Sequence, residues 1–255
     1  MKNLPWDESH LLLPSPYQSG NQCTTDISGK INYQFNSNGY RTDEWDSITW
    51  SDSVIVLGCS HVLGVGVNVE HSLPGQLKHM LNCPVINLGY CASSMTVQLY
   101  NSLALVKQGI RPRAVILVAP ELTRLAYFTW SSPVHMVPTN TVHMSQAIQR
   151  SQWLASMLTS HQEQLPEGID DCYKGWIHHE PNAEVHGALQ WASITHIWQH
   201  VPFYTFTVVE NSNSTRWIDA DCLPKYTDRA ADGLHAGPKT IAAWATEIVN
   251  KVCLL

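Results

Sequence analysis

Charge is scarce in this sequence. Only 14% of its 255 residues are charged, and 15 basic against 21 acidic residues leave a net charge of −6. No cluster of Lys and Arg is present, so the electrostatic footprint of a nucleic-acid surface is missing and no such partner is expected. No apolar run approaches the ~20 residues of a membrane-spanning helix. Leu11-Leu12-Leu13 is too short for the apolar core of a signal peptide, so neither a membrane partner nor a leader is expected. Cysteine pairs at C-x-x-C spacing are missing as well. Cys23, Cys59, Cys83, Cys91, Cys172, Cys222 and Cys253 are scattered and odd in number, which excludes a zinc knuckle or a disulfide framework and points to reduced thiols. A cytoplasmic setting is the expectation, with a place in a larger assembly such as a virion as the alternative. The glycine-rich stretch Gly58 to Gly66 lacks the Lys of a phosphate-binding loop. His196 and His200 stand four apart, but Ile197 occupies the position where a zinc helix carries Glu, and His178-His179-Glu180 lies in a polar stretch. No metal and no cofactor are expected.

What is present is an alternation of strand-like and helix-like segments. Val54-Ile55-Val56-Leu57 reads as a buried parallel strand. Leu73 to Leu81 reads as a helix with Pro74 in its first turn, and Pro84 to Leu88 as a second strand. Ser93 or Ser94 can cap a helix with the apolar stripe Met95, Leu99, Leu103 and Val106, ending near Gly109. Ala114 to Val118 is the third strand. Residues 125–141, with Tyr127, Phe128, Trp130, Pro133 and Pro138, read as a long loop near the mouth of a site, either a surface connection or a lid. Helices are expected over Met144 to Gln164 and from about Val185 to His200. A fourth strand follows over Val201 to Val208, a short fifth at Trp217-Ile218, and a closing helix over Thr240 to Val252. This alternation implies a parallel sheet with right-handed crossovers.

The length suits one α/β domain, over residues 51–255, preceded by an arm over residues 1–50 that packs on it. In the arm, Ile31 to Phe35 suggests a short strand and Asn38-Gly39 a tight turn. Arg41 either packs there or reaches the rim of a site.

Two stretches carry chemistry. Ser60 follows the first strand at the turn Gly58-Cys59-Ser60-His61, where open α/β sheets place their ligands. Far along the chain, Asp232-Gly233-Leu234-His235 precedes the closing helix. An Asp three residues before a His can hold the imidazole from behind, fix its tautomer and leave the other ring nitrogen to take a proton from a serine. Asp232 before Gly is otherwise an ordinary turn former. Val62 stands where Gly-x-Ser-x-Gly would need its second glycine, so the α/β-hydrolase fold is not indicated.

These residues resemble the SGNH, or GDSL-type, esterases and acylhydrolases. The first block of that family, Gly-Asp-Ser after a strand, is matched by Gly58-Cys59-Ser60 with Cys59 in place of the Asp. The second, a glycine after a second strand, is matched by Val85-Ile86-Asn87-Leu88-Gly89, and the last, Asp-x-x-His, by Asp232 and His235. Asn36-Ser37-Asn38-Gly39-Tyr40-Arg41 is similar to a segment that precedes the first block in many members. The third block, Gly-x-Asn-Asp, is not matched: the third strand runs into Ala119-Pro120-Glu121-Leu122-Thr123-Arg124, with Leu122 at the Asn position. The resemblance covers residues 31–253 and implies a three-layer α/β/α sandwich with a central parallel sheet in flavodoxin-like strand order. It implies Ser60 as nucleophile, His235 as base and Asp232 as orienter. The N–H groups of Ser60 and Gly89 would form the oxyanion hole, and Cys59 would point away from the cleft. Thr123 or Arg124 could supply the missing donor, and Arg124 could bind an anionic substrate group. The implied substrate is a small acyl ester, for instance an O-acetyl group on a carbohydrate, whose sugar faces the ten tryptophans could stack on. The rival reading is a carbohydrate-binding or structural component that keeps the fold with little catalysis.

Overall fold

The computed structural model describes residues 20–26, 29–91, 93–122, 124–127, 135–137, 180–208 and 217–252. Five parallel strands form its central sheet: β3 (Val54–Gly58), β4 (Val85–Gly89), β5 (Ala114–Ala119), β8 (Phe203–Val208) and β9 (Asp221–Leu223). Their order is β4-β3-β5-β8-β9. Counted within the sheet this is second, first, third, fourth, fifth, the flavodoxin-like order, in which ligands gather at the carboxyl ends where the winding reverses. β3 lies in register between Val85–Gly89 and Ala114–Val118, which sets Gly58 level with Gly89 and Val118 at that edge.

Alternation along the strands divides the core between two faces. Ile55, Leu57, Ile86, Leu88, Val115 and Leu117 pack on one face against α3 (Met95–Lys107) and α4 (Glu180–Ile197). Val54, Val56, Val85, Ile116, Val118 and Phe206 pack on the other against α1 (Ser60–Leu63), α2 (Leu73–Leu81) and α5 (Pro238–Val252). The chain is therefore an α/β/α sandwich. Ser72 caps α2 by accepting from the Gly75 N–H at 3.2 Å, and Pro74 sits in the first turn, where its missing N–H costs nothing. On α5, Ile241, Trp244, Ala245 and Ile248 are buried at helical spacing, as the sequence predicts.

The stripe expected on α3 is buried only in part. Met95 is buried and Leu99 and Val106 pack partly buried on the core, but Leu103 is 45% exposed, while Val97, Gln98, Asn101, Ser102 and Leu105 also turn inward. The polar members have partners waiting. Gln98 Nε2 donates to Gly58 O at 3.1 Å and to Ser93 Oγ at 2.8 Å, Asn101 Nδ2 donates to the Tyr40 hydroxyl at 3.2 Å, and the Trp198 indole N–H donates to Ser102 Oγ at 3.0 Å. Hydrogen-bonded polar groups can be buried, with only Gln98 Oε1 among these left without a partner, and a reading of apolar spacing cannot see them. The fifth strand is also displaced from expectation, to Asp221–Leu223 instead of Trp217-Ile218. Trp217 lies outside it, with its indole N–H donating to Glu184 Oε2 at 2.8 Å. Within the stretch expected to be a loop, β6 (Leu125–Tyr127) and β7 (His135–Val137) pair antiparallel. The helix expected over Met144 to Gln164 lies outside the described residues.

Ahead of the sheet, β1 (Gly20–Asp26) and β2 (Gly29–Phe35) form an antiparallel hairpin. Ile31, Tyr33 and Phe35 form a small core with Leu63, Val65 and Cys91 beyond α1. Arg41 serves packing. Its buried guanidinium lies 4.5 Å from the Tyr33 ring centroid. It donates to four carbonyls: Leu63 at 3.2 Å, Gly64 at 2.7 Å, Val67 at 3.0 Å and Asn32 at 3.1 Å. These carbonyls include orphans at the end of α1. Burial lowers the Arg41 pKa to about 10, still high enough to keep the charge at neutral pH. Among the described residues no helix is long and apolar enough to cross a membrane.

Candidate active site

The turn after β3 is built around glycine. A Cβ at Gly58 would lie 2.5 Å from Val62 Cγ2 and 2.9 Å from Val118 O, so only glycine lets α1 fold straight back onto the strand ends. Cys59 is extended, at φ −98° and ψ −150°, and its carbonyl accepts from the N–H groups of Val62 and Leu63, both at 3.0 Å. Ser60 is the first helical residue and is 7% exposed. The helix stops after one turn at Gly64, whose φ of 81° is left-handed.

The second stretch is a turn locked on itself. Ala230 N–H donates to His235 O at 2.9 Å and Gly233 N–H to Ala230 O at 2.9 Å. Gly233 holds φ 70°. The fully buried Asp232 uses Oδ1 to accept the N–H groups of Leu234 and His235, each at 3.0 Å. Its Oδ2 stands 2.5 Å from His235 Nδ1, and His235 Nε2 stands 2.8 Å from Ser60 Oγ. Burial alone would raise the Asp232 carboxyl. The His235 side chain and the two backbone donors outweigh it and hold the group below the ordinary carboxylate value. An ionised Asp232 accepts from Nδ1–H, which leaves Nε2 as the acceptor for the Ser60 hydroxyl. Residues 175 positions apart thus meet at the carboxyl edge of the sheet.

Other expectations fare differently. Gly89 does not offer an open N–H: that group donates to Asn87 Oδ1 at 2.9 Å. A Cβ there would meet Leu63 N at 2.2 Å, so the glycine exists to let α1 press against β4. Nor does the Cys59 thiol turn away, since its Sγ lies 4.0 Å from Ser60 Oγ. The alternation of a strand ends where the helix begins, so neighbouring side chains need not face opposite ways. Thr123 lies outside the described residues. Arg124 is half-buried, with Nε 3.4 Å from Glu121 Oε2. His196 and His200 are both exposed.

Sequence reasoning missed His61. Its ring meets that of His235 edge-on at 5.1 Å and that of Trp244 at 5.5 Å, and its Nε2 is 3.1 Å from the Tyr226 hydroxyl. Burial, then the nearby His235 and Arg124, push its pKa well below the ordinary value, so it stands as a neutral wall beside His235. Position next to Ser60 was the only signal for it, and neighbours in sequence carry no periodicity.

Leu122 is 3% exposed within the α3/α4 core, and Gly187 of α4 is packed so closely on it that a Cβ there would meet Leu122 O at 2.6 Å. It cannot stand in for a donor, and the side chain points into packing. We expect Leu122→Asn to destabilise the fold by about 2–5 kcal/mol, through lost burial and a desolvated amide, without raising turnover. Denaturant unfolding together with steady-state rates checks this; a faster, equally stable variant would show that position 122 faces the site.

No family model matches the sequence, and no curated protein matches it. Among solved structures the chain is similar to the SGNH-hydrolase family esterase AlinE4, at 12% identity and a TM-score of 0.35, over 81% of this chain and 98% of that one. It is similar to a protein of the G-D-S-L family from Desulfitobacterium hafniense, at 12% identity and a TM-score of 0.34, over 78% and 99% of the two chains. A GDSL-like protein from Bacteroides ovatus matches at 13% identity and a TM-score of 0.37, over 80% of this chain and 54% of its own.

Proposed function

We propose that the protein is a serine ester hydrolase in which Ser60, His235 and Asp232 act as nucleophile, base and orienter. The observation that carries this is the unbroken chain from Ser60 Oγ through the His235 ring to the buried Asp232 carboxylate. Ser60 Oγ attacks the acyl carbon as its proton passes to His235 Nε2. The bond to the leaving alcohol then breaks, and His235 returns the proton to the departing oxygen. Water, deprotonated by the same ring, adds to the acyl-enzyme and frees Ser60 with the carboxylic acid. Asp232 stays ionised and holds the imidazolium formed in between. The Ser60 N–H, in the first turn of α1, is the oxyanion donor of this reading, since the Gly89 N–H is engaged. The substrate class is a small acyl ester, with O-acetyl carbohydrate as the leading example.

One observation favours a second reading, a binding component of low activity: with Leu122 in the core and Gly89 engaged, the oxyanion site is short of donors. Titration with a serine-reactive organophosphonate separates the two. Stoichiometric labelling mapped to Ser60 by intact mass and peptide analysis is expected; no labelling at any serine would remove the hydrolase reading.

A further inference from the structure

Arg124 sits just past the carboxyl end of β5, the strand paired alongside the one that delivers Ser60. Its backbone N–H donates to Glu121 O at 3.1 Å. The side chain is only 19% exposed. Its one ion pair, Nε to Glu121 Oε2 at 3.4 Å, is long beside the ~2.7–2.9 Å of a strong charge-assisted bond. Both terminal nitrogens are left without a partner among the described residues, and they are the two that form a fork. The groups that feel its charge include Cys59 and His61, the chain neighbours of Ser60, together with Glu121 and Cys91. Arg124 is thus a half-buried guanidinium at the sheet edge where Ser60 also lies, and its ion pair among the described residues is the long one to Glu121. A guanidinium fork left open matches a carboxylate or phosphate bidentately.

Resting on the ester-hydrolase reading, we infer that Arg124 forms an anion subsite and that the substrate is an ester carrying a negative group within reach of it. Two sources share this chemistry: an anion on the acyl half, as in a hemi-ester of a dicarboxylic acid, and one on the alcohol half, as in the O-acetyl ester of a hydroxy or uronic acid.

Matched pairs of esters distinguish them. Mono-4-nitrophenyl succinate is compared with its neutral methyl ester for the acyl side, and 4-acetoxybenzoate with its neutral methyl ester for the alcohol side. For the natural protein, the ratio of kcat/KM between the anionic ester and its neutral twin is expected to reach roughly tenfold or more in one pair. It falls to about one in Arg124→Met and to an intermediate value in Arg124→Lys, which keeps the charge but loses the fork. No preference in either pair, or one that survives in Arg124→Met, overturns the proposal. So does an equal loss on both members of a pair, which would make Arg124 an oxyanion or positioning residue. Calorimetric binding of succinate and of 4-hydroxybenzoate tests the subsite without turnover. Binding by the natural protein and loss in folded Arg124→Met supports it even if every ester is inert, and the ester reading alone then fails. Equal binding by both proteins, or none by either, overturns it. Should Arg124→Met not fold, Arg124→Gln replaces it in both measurements.

Discussion

Ser60→Ala is expected to lower ester turnover by roughly 10⁴-fold or more, since the nucleophile is the member of such a triad whose loss costs most. The reference reaction is hydrolysis of a short-chain aryl ester. The side chain contributes little to the fold: its hydroxyl bonds His235 and approaches the Cys59 sulfur, and alanine suits the start of a helix. The melting temperature should therefore hardly move, and lost turnover is lost chemistry. The control that matters is Cys59, whose thiol lies 4.0 Å from the same oxygen and is itself a competent nucleophile. His235 Nε2 is the discriminating atom. It is placed 2.8 Å from Ser60 Oγ, and no bond joins it to Cys59 among the described residues. Cys59→Ala should keep turnover within about tenfold, as a packing change beside the site. If Cys59→Ala is dead while Ser60→Ala keeps its rate, the thiol is the nucleophile. Ser93 and Ser94 serve as further controls. Both are fully buried, and Ser93 Oγ donates to Gly58 O at 3.0 Å, so Ser93→Ala should weaken the fold more than the chemistry.

Most of the frame was legible because the central strands write themselves as short, bounded apolar runs. Val54–Gly58, Val85–Gly89 and Ala114–Ala119 differ from expectation by a residue or so at their ends. The placement of Ser60, Asp232 and His235 was legible for a topological reason: a turn after the first strand and a turn before the last helix open at the same sheet edge. Failures came where a residue does two things at once. Gly89 signals a close approach of backbone, and sequence alone does not say whether a ligand or α1 makes that approach. Gln98, Asn101 and Ser102 lie outside the expected apolar stripe, and nothing marks them as buried until their distant partners, on Gly58, Tyr40 and Trp198, are in view. Asp221–Leu223 is too short to have a pattern, and it is a strand because β8 offers it an edge. His61 became visible only through a ring 174 positions away.

Asp232→Asn should cost about 10³- to 10⁴-fold in turnover while leaving the turn nearly intact. The asparagine carbonyl can take over the position of Oδ1 and keep the two 3.0 Å bonds from Leu234 and His235 N–H. Its amide nitrogen then faces His235 Nδ1, and it can only donate. The imidazole must answer with an unprotonated Nδ1, which moves the ring proton to Nε2. Nε2 would then donate toward Ser60 Oγ and could no longer accept its proton. Asp232→Ala also leaves the two backbone N–H donors without their acceptor, so it should be clearly less stable than Asp232→Asn at neutral pH. A second signature follows from the lowered Asp232 pKa. A carboxyl held below its unfolded value of ~3.9 stabilises the fold at every pH above that value. The contribution is lost as the pH falls through the lowered folded value, because protonation then costs the native state its acceptor. Asparagine at 232 does not titrate, so the stability difference between natural protein and variant should shrink on acidification below ~3.9. Turnover at pH 8 and urea unfolding between pH 7 and pH 3 measure both effects. A variant within tenfold of the natural rate, with a stability difference that does not change over that range, would mean that Asp232 only shapes the turn.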